Sequence, residues 1–239
     1  MMQPKFDSEI NKKVQVLVTG AGKGIGFDLC EVFSALGCHV GAISRQSDLH
    51  FEGKNIHHIQ ADIADPKEVV KQIDKAFSQD DIQLRILIHN AGVLINKPFE
   101  DLSFEEMTTM NSVNYLYPMY LTQCLLPWLR QSKQAHTLYI GSMGGFQGSL
   151  KYPGLTVYGS TKAGGAGFME SLASEYRGSD LYFNALSLGA VQTDMLKEAF
   201  PTLEESIDVR TMSKWIAQFA LEGFRVVNGQ NLPISLSNP

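Results

Sequence analysis

Short apolar runs alternate with longer amphipathic segments along most of the chain. The runs are rich in Val, Ile and Leu, which favours strands, and the segments between them repeat apolar residues every three or four positions, which favours helices. Strands alternating with helices predict βαβ units and a parallel sheet, with binding sites at the carboxyl ends of the strands. The predicted strands are Val14–Val18, His39–Ser44, Ile56–Ala61, Leu84–Ile88, His136–Ile140, Leu181–Ser187 and Asn228–Ile234.

The amphipathic segments carry signals for helix ends. Gly37 follows an apolar face that begins at Ile25, and glycine is a common residue at helix C-termini. Asp65 and Pro66 start another helix, because aspartate is a good N-cap and proline fits the first turn. Further helices are predicted at Ser103–Gln131, at Tyr158–Arg177 and around Trp215.

Size and composition narrow the class of protein. A chain of 239 residues with 44% apolar and 19% charged residues can form one large globular domain without disulfides or metals. The net charge of −5 and the absence of a basic run argue against nucleic-acid binding. Met1–Lys13 is polar and no apolar run is long enough for a membrane span, so we expect a soluble cytoplasmic protein with no membrane partner.

The cysteines have neither an even count nor metal-ligand spacing. Cys30, Cys38 and Cys124 are therefore predicted to be small buried apolar residues in a reducing compartment, and no metal site is expected.

The first strand leads into a glycine-rich turn and then a helix. Gly20, Gly24 and Gly26, with Ile25 between the last two, follow a T-G-x-x-x-G-x-G spacing rather than G-x-G-x-x-G. Glycines allow the backbone to approach a pyrophosphate, and the helix N-terminus offers free N–H groups. The pattern predicts a dinucleotide phosphate site, with an ordinary glycine turn as the alternative.

The second predicted strand ends at Ser44 and Arg45 rather than at a carboxylate. A carboxylate there would accept hydrogen bonds from the ribose of NAD, whereas Arg45 and the turn residue Lys23 would suit a 2′-phosphate. We therefore predict NADP(H) in preference to NAD(H); two solvated surface cations are the alternative reading.

Polar and small residues follow several other predicted strands. Asp62 and Ile63 follow the third strand, Asn90-Ala91-Gly92 follows the fourth, and Ser142 follows the fifth. All of them are expected at the nucleotide-binding edge of the sheet.

Tyr158 and Lys162 are four residues apart on a predicted helix and so share one face. A nearby ammonium stabilises phenolate, so we expect Lys162 to lower the pKa of Tyr158 from its usual value of about 10. Such a tyrosine can exchange a proton with a carbonyl or alcohol oxygen.

Pro118 lies inside the predicted helix Ser103–Gln131 and lacks an N–H, which leaves the carbonyl of Asn114 without its helical partner. A kinked helix whose free carbonyl holds a water, and a helix broken at Pro118, are both compatible with the sequence.

The chain resembles the short-chain dehydrogenase/reductase family over about residues 14–236. The resemblance rests on the glycine turn, His89-Asn90-Ala91-Gly92, Asn114, Ser142 and Tyr158-x-x-x-Lys162, which match in order and spacing. It implies one α/β domain over residues 1–239, a Rossmann-type doubly wound parallel sheet of about seven strands with helices on both faces.

The resemblance also implies roles for individual residues. Tyr158 would donate a proton to a substrate carbonyl, Ser142 would orient that oxygen, and Lys162 would bind the nicotinamide ribose and tune Tyr158. Asn114 would hold a water in a proton relay. The remaining cofactor contacts would come from Asp62, Ile63, Asn90, Ala91, Gly92, Gly189, Val191 and Thr193.

Several positions depart from the family pattern. His89 replaces the usual Asn, Leu188-Gly189 replaces Pro-Gly, and the segment after Thr193, which usually covers the substrate, is short. The C-terminal strand is not followed by the usual Asp-Gly-Gly.

The resemblance implies an NADPH-dependent ketone reductase, closest in general pattern to 3-oxoacyl-[acyl-carrier-protein] reductases. Lys133 and Arg177 would then face an acidic carrier protein, although both could be ordinary surface cations. Alternatives are an alcohol or hydroxysteroid dehydrogenase, a tailoring reductase and a non-catalytic NADP(H) sensor.

Two expectations concern the substrate pocket and assembly. Apolar residues favour an acyl chain or ring system as substrate, and they are Phe146, Leu150, Leu155, Leu196 and Phe200. The family commonly forms dimers or tetramers through its two long helices, so a homo-oligomer is expected.

Overall fold

The computed structural model describes residues 14–77, 83–203 and 205–236, so the polar segment Met1–Lys13 lies outside the described residues. Within them, seven parallel strands form one sheet in the order β3-β2-β1-β4-β5-β6-β7. The predicted strands are confirmed, with small shifts at their ends. They are β1 (Val14–Thr19), β2 (His39–Ser44), β3 (Ile56–Gln60), β4 (Gln83–His89), β5 (Ala135–Ser142), β6 (Leu181–Leu188) and β7 (Asn231–Ile234).

Helices cover both faces of the sheet. The apolar residues of β1 alternate between two cores: Val16 and Val18 pack on one face and Leu17 on the other. The first core is completed by α1 (Gly24–Ala35) and α7 (Val209–Glu222), and the second by α2 (Pro66–Phe77), α4 (Tyr117–Leu129) and α5 (Thr156–Glu175). Two further helices are α3 (Phe104–Asn111) and α6 (Asp194–Ala199).

The helix signals in the sequence correspond to real caps. Asp65 Oδ1 accepts a hydrogen bond from the Glu68 N–H at the start of α2, and Gly37 adopts a left-handed φ of 87° just after α1.

The predicted helix Ser103–Gln131 is continuous but changes its winding. A π-helical turn, Ser112–Leu116, joins α3 to α4, and Pro118 lies just after it. The wider turn accommodates the missing proline N–H, so the helix is neither broken nor a plain α-helix.

The order of strands reverses beside β1. The chain runs outward from β1 through β2 to β3, then returns to place β4 on the other side of β1. The connections that leave the carboxyl ends of β1 and β4 diverge and open a crevice, which is where ligands bind in this kind of sheet.

Candidate active site

The glycine turn between β1 and α1 brings backbone close to backbone. Gly20 has a φ of 69°, and a Cβ there would lie 2.7 Å from the Cα of Ala91. A Cβ on Gly26 would lie 2.3 Å from the Gly20 carbonyl oxygen. These approaches require glycine and keep the turn tight against the start of α1.

Asn90 ties this turn to the end of β4. Its Nδ2 donates to the carbonyl oxygens of Thr19 at 3.0 Å and Gly20 at 3.2 Å. The Thr19 hydroxyl in turn accepts hydrogen bonds from the Asn90 and Ala91 N–H groups, both at 3.1 Å. The two loops are thereby fixed as one unit.

The predicted adenosine-side residues lie together at the ends of β2 and β3. Lys23 and Arg45 are exposed side chains that line the same cavity as Ser44, Asp62 and Ile63. Ser44 Oγ is 3.1 Å from His58 Nε2, and Asp62 Oδ1 accepts a hydrogen bond from the Ala64 N–H at 3.0 Å.

Sequence reasoning missed one side chain in this part of the site. Gln46 lies over the glycine turn, with its side-chain amide 3.0 Å from where a Cβ of Gly22 would be. Its position one residue after Arg45 was the only signal available.

Tyr158 and Lys162 project from the buried face of α5, only 8% and 4% exposed. Lys162 Nζ donates to the Ile140 carbonyl oxygen at 2.8 Å and lies 5.8 Å from the centre of the Tyr158 ring. Ser142 ends β5, and its Oγ accepts a hydrogen bond from the Gly144 N–H at 3.2 Å. All three residues line one cavity.

Burial sets the protonation of this pair. It raises the pKa of Tyr158 to about 12, against a smaller lowering by hydrogen bonding with Ser142. It lowers the pKa of Lys162 to about 8. The expected lowering of the Tyr158 pKa by Lys162 is therefore wrong for the protein alone, because desolvation of the phenolate dominates.

Asn114 supports the site from beneath it. Its side chain accepts from the Val93 N–H at 2.8 Å and donates to the Val93 carbonyl at 2.9 Å. Its Nδ2 also donates to Thr161 Oγ1 at 3.0 Å, which links the loop after β4 to α5. The main-chain carbonyl that Pro118 leaves free accepts a hydrogen bond from the Tyr139 hydroxyl at 2.6 Å. The sequence did not single out Tyr139.

The predicted nicotinamide-side residues follow β6. The Gly189 N–H donates to the Ile234 carbonyl at 2.8 Å, and Val191 pairs with Ile207 in an isolated bridge. Thr193 caps α6 by accepting from the Leu196 N–H at 3.3 Å. The turn after Leu188 is therefore held by β7 and by the bridge to Ile207.

These elements enclose one cavity of about 720 Å³. It reaches from the glycine turn to Tyr158, and of the predicted site residues only Gly26 and Asn114 are absent from its lining. Leu155, Leu196 and Phe200 line its far end as expected, whereas Phe146 and Leu150 do not. Leu150 is 62% exposed, because its loop turns outward.

Other residues complete the apolar end. Tyr152 and Phe200 meet edge to face with ring centres 6.0 Å apart, joining the loop before α5 to the segment after α6. Met143, Met195 and Leu203 add further apolar surface.

Three surface expectations need correction. Lys133 precedes β5 and Arg177 precedes β6, so both lie at the amino ends of the strands, opposite the cavity, and give no support for a carrier protein beside the site. Cys30 and Cys38 are buried as predicted, but Cys124 is only half-buried.

Neither a metal site nor a membrane span is found among the described residues. No group of three potential ligands lies close enough to hold a metal ion. Within the same ranges no helix is long and apolar enough to cross a membrane.

Comparison with known proteins identifies the family. Residues 14–204 match the model described as short chain dehydrogenase, and the chain therefore belongs to that family of NAD(P)-dependent oxidoreductases. A chloroplastic tropinone reductase homolog of Arabidopsis thaliana is 28% identical in an alignment that covers 92% of this chain and 73% of the plant protein.

Solved structures share the fold over nearly the whole chain. The ligand-free aldohexose dehydrogenase of Thermoplasma acidophilum superposes with a TM-score of 0.84 at 21% identity, covering 95% of this chain and 94% of that one. A 3-ketoacyl-(acyl-carrier-protein) reductase of Brucella melitensis, complexed with NADH, gives 0.81 at 21% identity, covering 93% and 96%.

Proposed function

We propose that the protein is an NADPH-dependent reductase that converts a ketone to a secondary alcohol, with Tyr158 as the proton donor. The observation that carries this proposal is the burial of Tyr158 and Lys162 in the wall of the cavity that also contains the glycine turn and Ser142.

The residues present fit a nicotinamide dinucleotide. Lys23 is the N-cap of α1 but makes no side-chain capping bond, and the first turn of α1 contains no acidic residue, so its N–H groups suit a pyrophosphate. Asp62, Ile63, Asn90, Ala91 and Gly92 would hold the adenosine side. Gly189, Val191 and Thr193 would hold the nicotinamide side, and Lys162 the ribose next to it.

Two cations support NADP(H) over NAD(H). Lys23 and Arg45 line the cavity at the end of β2, and neither forms an ion pair with another of the described residues. A 2′-phosphate would give them charge-assisted hydrogen bonds, with Ser44 as a further donor.

The chain's own residues account for the proton chemistry. A bound nicotinamide dinucleotide supplies the hydride. Ser142 orients the carbonyl oxygen by hydrogen bonding, and Tyr158, a neutral phenol because its pKa is about 12, gives that oxygen its proton. Lys162, with a pKa of about 8, is largely an ammonium at neutral pH and favours the phenolate that remains.

The apolar end of the cavity supports a substrate with an acyl chain or ring system. The ketone would lie between Ser142 and Tyr158, and its apolar part would contact Leu155, Leu196 and Phe200. A 3-oxoacyl thioester is the leading class, since the similar Brucella melitensis structure is a 3-ketoacyl-(acyl-carrier-protein) reductase. A ketosteroid or a ring ketone is the second.

The outer face of the π-turn and α4 supports self-association. Leu116, in the π-turn, and Tyr120 are large apolar side chains that remain exposed there. A homo-oligomer formed through these helices would cover them.

The experiment is NADPH oxidation by purified protein over a panel containing a 3-oxoacyl thioester, a ketosteroid, a quinone and a small diketone. Turnover of one class is expected with NADPH and slower turnover with NADH. Arg45→Ala should raise KM for NADPH about ten-fold or more and leave KM for NADH within a factor of two, because only the phosphate contact is lost.

Faster turnover with NADH than with NADPH would contradict the assignment of Lys23 and Arg45. NADPH binding without turnover of any ketone would contradict the reductase itself. Gln72→Ala, a change on α2 away from the cavity, is the control for preparation effects.

A further inference from the structure

A second tyrosine, Tyr139, lies next to Tyr158 and Lys162 on the side away from the cavity. Tyr139 is in the middle of β5, paired with His89 of β4 and Ala185 of β6, and it is completely buried. It is one residue before Ile140, whose carbonyl accepts the hydrogen bond from Lys162 Nζ. The fold therefore fixes Tyr139 directly against the base of the site.

The Tyr139 hydroxyl completes the π-turn. Pro118 cannot donate to the Asn114 carbonyl, and the Tyr139 hydroxyl donates to it at 2.6 Å. The same asparagine holds Val93 and Thr161 through its side chain. The hydroxyl thus restrains the residue that joins the loop after β4 to the helix carrying Tyr158.

The ring of Tyr139 lies near the ammonium of Lys162. Lys162 Nζ is 5.1 Å from the centre of the Tyr139 ring and 5.8 Å from that of Tyr158. A cation within about 6 Å of an aromatic centre is stabilised by the ring, more so when both are buried.

The helix opposite leaves room for this ring. A Cβ on Gly165 would lie 2.2 Å from Tyr139 Cζ and 2.6 Å from its hydroxyl oxygen. Any side chain at position 165 would displace the hydroxyl end of Tyr139, so the pair Tyr139 and Gly165 acts as one unit.

We propose that Tyr139 is a positioning residue for Lys162 and Asn114: its ring stabilises the Lys162 ammonium, and its hydroxyl fixes the carbonyl that Pro118 leaves free. The hydroxyl remains a neutral donor, because burial and the nearby Tyr158 raise the pKa of Tyr139 above its usual value. This inference rests on the proposed function only for its kinetic consequence, since both contacts exist within the chain itself.

Two substitutions separate the ring from the hydroxyl. Tyr139→Leu removes both, so the pKa of Lys162 should fall by about half a unit to one unit as the ammonium loses the ring. Tyr139→Phe keeps the ring, so that pKa should stay, but amide hydrogen exchange in the π-turn Ser112–Leu116 should become faster.

The pKa is measured on the protein without cofactor by NMR titration of ¹³C-labelled lysines, with Lys162→Met to assign the signal. Phe183→Leu is the matched control, because Phe183 is buried in the same core and no ring contact joins it to Lys162. It should leave both the Lys162 pKa and π-turn exchange unchanged.

The kinetic consequence follows from the same pKa. In the reductive direction, activity should fall at high pH as Lys162 loses its proton. In Tyr139→Leu this decline should begin at a lower pH than in the wild type, by the shift measured in the NMR titration. In Tyr139→Phe the high-pH decline should stay in place while kcat falls several-fold with little change in KM.

Gly165→Ala provides a second route to the same displacement. On its own, Gly165→Ala should speed amide hydrogen exchange in the π-turn, because its methyl group displaces Tyr139. Combined with Tyr139→Leu, it should have little further effect.

Equal Lys162 pKa values in Tyr139→Leu and Phe183→Leu would overturn the role of the ring. Wild-type exchange in the π-turn of Tyr139→Phe would overturn the role of the hydroxyl. If no ketone is reduced by any variant, the proposed function fails, while the NMR and exchange results still decide this inference.

Discussion

Burial is the main cause of the pKa shifts of the buried tyrosine, lysine and histidine side chains in and next to the site, as it is for Tyr158 and Lys162. His89 and His136 are fully buried in β4 and β5, and burial lowers their pKa values to about 3 and about 4. The His136 ring is held neutral by its contacts: Nδ1 donates to the Ala220 carbonyl, and Nε2 accepts from Asn184 Nδ2. A second ring proton would face that amide donor.

These histidines predict acid-sensitive stability. In the unfolded chain these two histidines take up protons below about pH 6.5, whereas in the folded chain they stay neutral. Their contribution to the free energy of unfolding is therefore fully present above that pH and is lost as the pH drops toward 4. Within that window, each histidine lowers the free energy of unfolding by about 1.4 kcal/mol for every unit by which the pH falls. His89→Asn should remove its share of the slope, as measured by urea unfolding between pH 7 and 4.

His50→Asn is the control, because His50 is exposed. In this variant the unfolding free energy should change with pH as steeply as in the wild type. A slope in His89→Asn as steep as in the wild type would contradict the buried neutral imidazole.

At the level of elements, the existence and order of the strands and the glycine positions were the most predictable features. Each apolar run became a strand because a buried strand in a parallel sheet needs apolar residues on both faces. Gly20 and Asn90 could be placed at one edge because parallel strands end together there.

The winding of the helix around Asn114 could not be predicted from its own sequence. Pro118 indicates only that a carbonyl loses its partner, and two outcomes remained compatible. Tertiary contacts hold the π-turn at Asn114, namely those from the Tyr139 hydroxyl and the Val93 backbone, which are 25 and 21 residues from Asn114 in the sequence. The inward direction of Leu155 and the outward direction of Leu150 depend on loop geometry in the same way.

For the whole molecule, α5 offers a direct test of self-association. Gly167 lies on its outer side, and a Cβ there would meet no atom outside its own helix turn within 4 Å in the described part of the chain, so Gly167→Arg should fit the monomer without strain. The long charged side chain would block helix pairing between subunits. Sedimentation equilibrium should show an oligomer for the wild type and monomer for Gly167→Arg.

Gln218→Arg, on the exposed side of α7, is the control and should remain an oligomer. An unchanged mass for Gly167→Arg would contradict association through α5, and a monomeric wild type would contradict the oligomer itself.

The most direct test of the whole account is the turnover of Tyr158→Phe with NADPH and the ketone that the wild type reduces. The substitution removes the hydroxyl that donates the proton and leaves the ring in place, so kcat should fall by about 10²–10⁴-fold. Affinity for NADPH should stay within a few-fold, and Tyr182→Phe, near the amino end of β6, should behave as the wild type. A Tyr158→Phe protein that retains wild-type turnover would contradict proton donation by Tyr158.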